Sequence, residues 1–241
     1  MISKSVATSP SLSDRMKEYE AVFSGNFTRR TPVIIRLDGK AFHTWTKSVE
    51  RPFDERLPEM FGECLTYLLK NIQGAVFGYA QSDEISIFLR DYDKVTTDAW
   101  FGANQQKMVS VAASLITSKF NQLAAKLVPN APLAHFDARG FVIPKDEVVN
   151  YFIWRQNDAV RNSVQGYGQS ILGHKECQGK NLNDLKSLVS SRFPDKGWET
   201  LPLHFQRGIA QRIDEVQPSF NIPLFKEDRN YIEELIYVKN D

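Results

Sequence analysis

The sequence is poor in cysteine, in long apolar runs and in net charge. Its two cysteines, Cys64 and Cys177, have no metal-ligand spacing and cannot form a disulfide framework. The first thirty residues lack an apolar stretch and carry scattered charge, so we expect no secretory signal, transit peptide or membrane span, and a cytoplasmic location. The formal net charge is +1, so any binding to nucleic acid must depend on local basic patches.

What the chain does have is ordinary globular composition. Its 241 residues are 42% hydrophobic and 12% aromatic, which is enough to bury a core and excludes a disordered chain. There is no internal repeat or low-complexity tract. We therefore expect one compact unit.

Two acidic turns carry most of the chemical information. The first, Asp38–Lys40, follows the apolar run 33–37, and the second, Gln81–Glu84, lies between the apolar runs 75–80 and 85–89. The second segment has the pattern of a β-hairpin. Both patterns place acids at the ends of buried strands.

A buried carboxylate needs a partner, and protein cations are few here. Arg36 and Lys40 flank the first acid, and none lies within six residues upstream of Asp83. Mg²⁺ prefers a few carboxylates together with water and phosphate oxygens, so the pattern favours a magnesium site that handles nucleotides. The alternative is a hairpin tip with solvated acids, since Asp is a common turn residue.

Several segments, in this order and spacing, resemble the tRNA-histidine guanylyltransferase superfamily. They are Asp14–Glu20, Arg36–His43, Gly78–Glu84, Tyr151–Asp158, Leu201-Pro202 and Arg207-Gly208. The resemblance covers nearly the whole chain. It implies a palm similar to those of polymerases and nucleotide cyclases, which adds nucleotides to RNA in the 3'-to-5' direction.

The predicted fold class is α+β: a ferredoxin-like antiparallel sheet with helices on one face, plus a smaller C-terminal helical and loop region. We place the palm in residues 1–145, and in residues 146–241 a region that completes the active site and contacts RNA. Periodicity predicts further elements. They are helices at 53–73, 101–127, about 146–163 and 181–192, a strand at 134–143, and mostly loop with a short strand at 194–212.

Two details of these helices follow from the residue pattern. Cys64 belongs to the apolar stripe of the first helix, so we interpret it as a core residue. Gly166 and Gly168 are expected to mark the exit of the third helix.

The resemblance supplies a two-metal mechanism with a defined set of acids. Asp38 and Asp83 would bridge two Mg²⁺ ions, and the Gly39 carbonyl would be a further ligand. Glu84 belongs to the family's catalytic pattern. If the backbone is extended there, Glu84 would point to the opposite face from its neighbour Asp83, which would place Glu84 behind the metal ligands.

The resemblance also implies a site for ATP, GTP and other nucleoside triphosphates. Backbone amides and a ring would surround the nucleotide. The residues expected there are Lys40, Ala41, Phe42, His43, Ser82, Asn104 and Lys107. Alternatives remain for two of them, because a lone histidine beside a strand is often structural and a helix lysine is often only solvated.

RNA or a second nucleotide is expected to contact Arg139, Arg155 and Asn162. On the predicted helix, Arg155, Asp158 and Asn162 share a face. A purely structural network, in which Asp158 holds Arg155, is an equal alternative.

One departure separates two branches of the family. Enzymes dedicated to tRNA-histidine carry a His-Ile-Asn-Asn run where this chain has Val160–Ser163, and only Asn162 is retained. This resembles the bacterial and archaeal "like-protein" branch, which implies template-dependent 5'-end repair of truncated tRNA and a homotetramer. The alternatives are dedicated guanylyl addition or a nucleotide-cyclase-like palm enzyme. A catalytically dead RNA-binding relative is disfavoured, because clustered carboxylates repel one another without a metal.

Overall fold

The two acidic turns lie at one end of a five-stranded antiparallel sheet. The strands are β1 (Val33–Gly39), β2 (Ala75–Gln81), β3 (Glu84–Leu89), β4 (Phe136–Val142) and β5 (Ile209–Arg212). Their order is β4-β1-β3-β2-β5 in this computed structural model, which describes residues 10–238. The predicted hairpin is confirmed as β2 and β3, joined by a turn at Ser82 and Asp83.

The helices cover the sheet and extend beyond it. They are α1 (Leu12–Ala21), α2 (Phe42–Trp45), α3 (Arg56–Asn71), α4 (Gln105–Leu127), α5 (Lys145–Leu172), α6 (His174–Cys177), α7 (Leu182–Arg192), α8 (Leu203–Arg207) and α9 (Asn230–Glu233). The succession β1-α3-β2-β3-α4-β4 is the ferredoxin-like arrangement. The predicted α+β class with an antiparallel sheet is confirmed.

Side-chain alternation along β1 divides the core between the two faces of the sheet. Ile35 and Leu37 pack in the cluster beneath α3 and α4, whereas Ile34 packs on the other face, against α5. Helices therefore cover both faces, which corrects the expectation of helices on one face only. The reason is that the second face also carries large apolar side chains, which need a cover as well. They are Ile34 of β1, Phe88 of β3, and Phe77 and Tyr79 of β2.

The boundaries of α4 and α5 differ from the predictions for local reasons. Phe101 and Gly102 adopt positive φ angles of 49° and 60°, which delays the start of α4. Helix α5 continues through Gly166 and Gly168 and is terminated by Gly173, whose φ is +84°. The exit predicted at Gly166 and Gly168 is thus wrong, because tertiary packing outweighs the weak intrinsic cost of glycine in a helix.

The C-terminal half of α5 has its own small core. Val164 and Tyr167 pack there with Leu185 and Val189 of α7, and Cys177 is buried with them. The other cysteine, Cys64, is buried in α3, and burial raises the pKa of its thiol to about 12. Within residues 10–238 no helix has the length and apolarity needed to cross a membrane.

Candidate active site

The structure brings the two acidic turns into contact. The Gly39 amide donates a hydrogen bond of 3.1 Å to the Asp83 carbonyl, and Asp38 is the direct register partner of Glu84. Directly opposed residues point to the same face, so Asp38 and Glu84 both face α5. The structure therefore places Asp38 next to the hairpin turn, as the sequence predicts.

Backbone strain marks both turns. Ala41 and Ser82 each have a φ of 51°, which costs free energy for a residue with a Cβ. A Cβ on Gly39 would lie 2.6 Å from Phe42 Cδ2 and 3.0 Å from Asp83 Cβ, so only glycine fits between the turns. Such strain is typical of sites where geometry is held for function.

The electrostatics of the turn favour a bound cation. Burial raises the pKa of the Asp83 carboxyl, and the charge of Asp38 raises it further, whereas the 3.0 Å hydrogen bond from Ser82 Oγ lowers it. Over residues 10–238, no three His, Cys, Asp or Glu side chains group as a metal site. The two carboxylates of Asp38 and Asp83 fit an ion that takes few protein carboxylates and completes its shell with oxygens from water or phosphate, as Mg²⁺ does.

Glu84 has a different environment from the other two acids. Arg155 Nε donates to Glu84 Oε1 at 2.7 Å, and Arg155 Nη2 donates to Glu84 Oε2 at 3.1 Å. Arg36 Nε lies 3.8 Å from the same carboxylate. Both Glu84 oxygens are thus already bound by protein cations, which favours a supporting role behind Asp38 and Asp83.

A cavity of ≈ 890 Å³ adjoins the acidic turn. Ser82 and Gln81 form one side of it, the segment 49–58 another, and the C-terminal half of α5 with α8 a third. Asn162 lies on its wall and is exposed. This volume falls in the range of sites that hold a nucleotide-sized molecule.

One amide and one ring of the segment after Gly39 are already engaged within the protein. The Lys40 amide donates to the His135 carbonyl at 2.8 Å, so it does not point at a phosphate. Phe42 is buried in an aromatic cluster, with its ring 5.1 Å from that of Trp45 and 5.5 Å from that of Phe120. The side chains of Lys40, Ala41 and His43 remain exposed.

Asn104 and Lys107 lie away from the acids of their own chain. Thr117 Oγ1 accepts a hydrogen bond from the Phe136 amide at the Gly39 end of the sheet. Lys107 precedes Thr117 by ten residues of α4, which is about 15 Å of helix. Lys107 therefore lies towards the other end of β1, away from Gly39. The Asn104 side chain caps α4 by accepting from the Lys107 amide at 2.9 Å. Its Nδ2, the donor expected to reach phosphate, donates to Ser24 Oγ at 3.2 Å.

Arg155 belongs to a structural network of ion pairs, which is one of the two roles that the sequence allows for this residue. Besides Glu84, its Nη2 binds Asp158 Oδ2 at 3.0 Å, and Asp158 also pairs with Arg161. Arg155 is buried, so it does not reach RNA directly. Arg139 is exposed on β4, where it is the register partner of Arg36 and lies 3.8 Å from Asp137.

Three residues of this region were not selected as site residues from the sequence. They are Arg36, Trp154 and Arg161. Arg36 lies two residues before Asp38 on the same face of β1, and Trp154, Asp158 and Arg161 recur at helical spacing. These spacings along the strand and the helix are the feature of the sequence that could have identified the three residues.

Comparison with known proteins decides the family. The model of the tRNAHis guanylyltransferase (Thg1) family matches residues 13–144, which contain both acidic turns. The chain belongs to the Thg1 family. The resemblance seen in the sequence is confirmed, and the chain is a nucleotidyltransferase of the Thg1 type.

Solved Thg1-like structures agree over nearly the full length. A bacterial Thg1-like protein in complex with ATP is 44% identical and covers 94% of this chain and 100% of its own, with a TM-score of 0.90. A bacterial Thg1-like protein in complex with GTP is 41% identical and covers 95% and 100%, with a TM-score of 0.78.

The curated proteins that the chain matches are more distant in sequence, and the two described here are longer than this chain. The uncharacterized protein R259 of Acanthamoeba polyphaga mimivirus is 28% identical over 223 residues, 82% of this chain and 75% of that protein. The tRNA(His) guanylyltransferase 2 of Arabidopsis thaliana is 24% identical over 212 residues, and the chain spans 38% of its length.

Proposed function

We propose that this chain repairs the 5' end of truncated tRNA by adding nucleotides in the 3'-to-5' direction, with the opposite strand as template. The observation that carries the proposal is the pair Asp38 and Asp83 at the sheet end beside the ≈ 890 Å³ cavity. The bacterial relatives bound to ATP and to GTP support nucleotides as substrates.

The reaction needs two phosphoryl steps that one acid pair can serve. The RNA 5' monophosphate is activated by transfer of AMP from ATP, with pyrophosphate leaving, or is already a triphosphate. The 3'-hydroxyl of the incoming nucleotide then attacks the 5' phosphorus and releases AMP or pyrophosphate. Both steps are in-line displacements at phosphorus.

Asp38, Asp83 and the Gly39 carbonyl are the groups that would hold Mg²⁺. When bound, Mg²⁺ would lower the pKa of the attacking hydroxyl and offset the charge of the phosphates. Glu84 and Arg155 would keep the strand end fixed, and Asn162 on the cavity wall would contact the nucleotide or the RNA. Residues 146–241 complete this site through α5, and we propose that the working assembly is a homotetramer.

Template dependence is preferred over dedicated guanylyl addition because of Val160–Ser163. The dedicated enzymes carry His-Ile-Asn-Asn at these positions, and this chain has a charged Arg161 there. Without that run, selection of the nucleotide is left to base pairing, which discriminates among all four bases.

The test uses four truncated tRNAs whose missing 5' position faces C, A, G or U. With Mg²⁺, ATP and all four nucleotides, we expect addition of G, U, C and A respectively, read by sizing and sequencing of the RNA. Addition of G to all four would identify a dedicated guanylyltransferase instead. Absence of any addition, from protein that melts cooperatively, would refute both.

A further inference from the structure

The side chain of Trp154 is exposed beside the candidate active site. Trp154 is 53% exposed, whereas the other tryptophans, Trp45, Trp100 and Trp198, are 3%, 8% and 7% exposed. Burial is the usual state of this large apolar ring. A half-exposed indole next to a catalytic region therefore indicates a ligand that covers the ring.

Neighbouring residues hold the ring of Trp154 in place from one side. The Arg155 guanidinium lies 4.3 Å from the ring centroid, and Arg36 Cζ lies 5.9 Å from it. The Tyr151 ring packs edge-on at 5.9 Å and 65°. Because Arg155 is itself fixed by Glu84, the ring is supported by the same ion pair that adjoins the acidic turn.

Two further arginines of this region are exposed, each beside an aspartate, Arg161 with Asp158 and Arg139 with Asp137. Arg161 lies seven residues after Trp154 on the same helical stripe, and its side chain is 55% exposed. Arg139, 56% exposed, lies across the strand pair from Arg36 and points to the same face. Arg36 Nε is buried and has no hydrogen-bond partner in the part of the chain that the structure describes.

The position of Trp154 relative to the acids indicates what it would touch. Arg36 and Asp38 share a face of β1 and are two residues apart, about 7 Å along a strand. An aromatic face flanked by arginines is the combination that binds nucleobases by stacking while the cations bind phosphates.

We propose that the open face of Trp154 stacks on the last paired base at the 5' end of the RNA, with Arg139 and Arg161 binding the adjacent phosphates. The flat ring closes the end of the RNA helix and leaves the 5' phosphate directed towards Asp38 and Asp83. This inference rests on the proposed function, since it assigns a contact for the same RNA substrate.

Fluorescence of the unaltered protein provides the first test. Since the other three tryptophans are buried, quenching by acrylamide reports chiefly on Trp154. A 5'-truncated tRNA at saturating concentration is expected to reduce that quenching clearly. RNA that binds without changing the quenching would overturn the proposal.

Variants separate stacking from simple bulk. Trp154→Leu is expected to weaken binding of the truncated tRNA roughly 5- to 100-fold, because one base stacked on an aromatic ring contributes on that order. Trp154→Phe should retain most of the affinity. Phe101→Ala, which removes another exposed ring in the turn that precedes α4, should have no effect.

The outcomes also distinguish this inference from the proposed function. Normal binding and extension of RNA by Trp154→Leu would overturn the stacking contact and leave the proposed function intact. Unaltered protein that neither binds nor extends RNA would overturn both. Equal loss in Trp154→Leu and Trp154→Phe, with unchanged thermal melting, would contradict stacking and indicate a contact through the indole nitrogen.

Discussion

Glu84 and Arg155 form a two-point ion pair between the sheet and α5, with hydrogen bonds of 2.7 Å and 3.1 Å. Both side chains are buried, and Arg155 also binds Asp158. The pair joins the residue that follows Asp83 to the helix that carries Trp154.

Breaking this pair from one side should destabilise the fold. Glu84→Gln is expected to lower the free energy of unfolding by roughly 3–5 kcal/mol, because Arg155 would be left buried without a full counter-charge. The double variant Glu84→Leu with Arg155→Met should recover much of that loss. Urea denaturation measures both, and Glu59→Gln on the exposed side of α3 is the matched control. A double variant no more stable than the single one would contradict the explanation that the loss comes from a buried, uncompensated Arg155.

Asp38 and Asp83 are expected to be required for activity and dispensable for folding. Asp38→Asn or Asp83→Asn should each reduce nucleotide addition by roughly a thousandfold or more, since each removes a ligand worth several kcal/mol. Burial and the charge of Asp38 raise the pKa of Asp83, so its ionised form is unfavourable in the fold at neutral pH. Asp83→Asn should therefore melt at or above the wild-type temperature in buffer without Mg²⁺. More than a tenth of wild-type activity in either variant would refute the two-carboxylate assignment.

A methyl group at Gly39 should be poorly tolerated. In Gly39→Ala the new Cβ would approach Phe42 Cδ2 to 2.6 Å and Asp83 Cβ to 3.0 Å, so the turns must move apart. We expect a loss of about 1–3 kcal/mol in stability together with loss of activity. The control is Gly166→Ala within α5, where no atom lies within 4 Å of the new Cβ and a gain of up to about 1 kcal/mol is expected. Full activity of Gly39→Ala would show that the close approach of the turns is unnecessary.

Lys107 allows a test of assembly. Since it lies along α4 away from the acids of its own chain, we expect it to serve the triphosphate site of a neighbouring copy in the proposed tetramer. Lys107→Ala should then raise the nucleotide concentration needed for addition, with unchanged melting because the side chain is exposed. Co-assembly of Lys107→Ala chains with Asp38→Asn chains should restore part of the activity. If mass measurement shows a mixed assembly and activity is still not restored, then Lys107 either contacts the triphosphate within its own chain or does not contact it at all.

Asp54 should contribute to stability at neutral pH and lose that contribution in acid. Its carboxylate accepts from the Glu50 amide at 2.8 Å and from Arg56 Nη2 at 2.6 Å. The bond with Arg56 lowers the pKa of Asp54 from its usual 3.8 to about 2. Since the folded pKa is the lower one, the stabilisation is complete above pH 3.8 and disappears as the pH falls towards 2.

Asp54→Asn should thus lower stability by roughly 2 kcal/mol at pH 7 and flatten the acid limb of the stability profile. Urea denaturation between pH 7 and about pH 2 measures it, and the exposed Asp195→Asn is the control. An acid limb identical to that of the wild type would show that Arg56 does not hold Asp54 in solution.

The parts of the site that the sequence predicted are those determined by strand ends and local turns. Asp38 and Asp83 were predicted to meet because alternating apolar runs define where each strand stops, and the structure joins them through Gly39. The location of Asn104 and Lys107 was not predictable in this way, because helix periodicity gives a buried face but not the direction in which α4 runs along the sheet. Helix α5 likewise continues through Gly166 and Gly168 because α6 and α7 pack against it. Local helix propensity contains no information about such tertiary contacts.

The length of α5 has a consequence for dividing the chain. One end of this helix supplies Phe152, whose ring lies 4.8 Å from that of Phe77 on the sheet, and the other end supplies Val164 and Tyr167 to the small core with α7. A cut between residues 145 and 146 would therefore expose the apolar back of the sheet on one fragment and its cover on the other. Each fragment made alone should aggregate, and the two should become soluble only when they are produced together in the same cell.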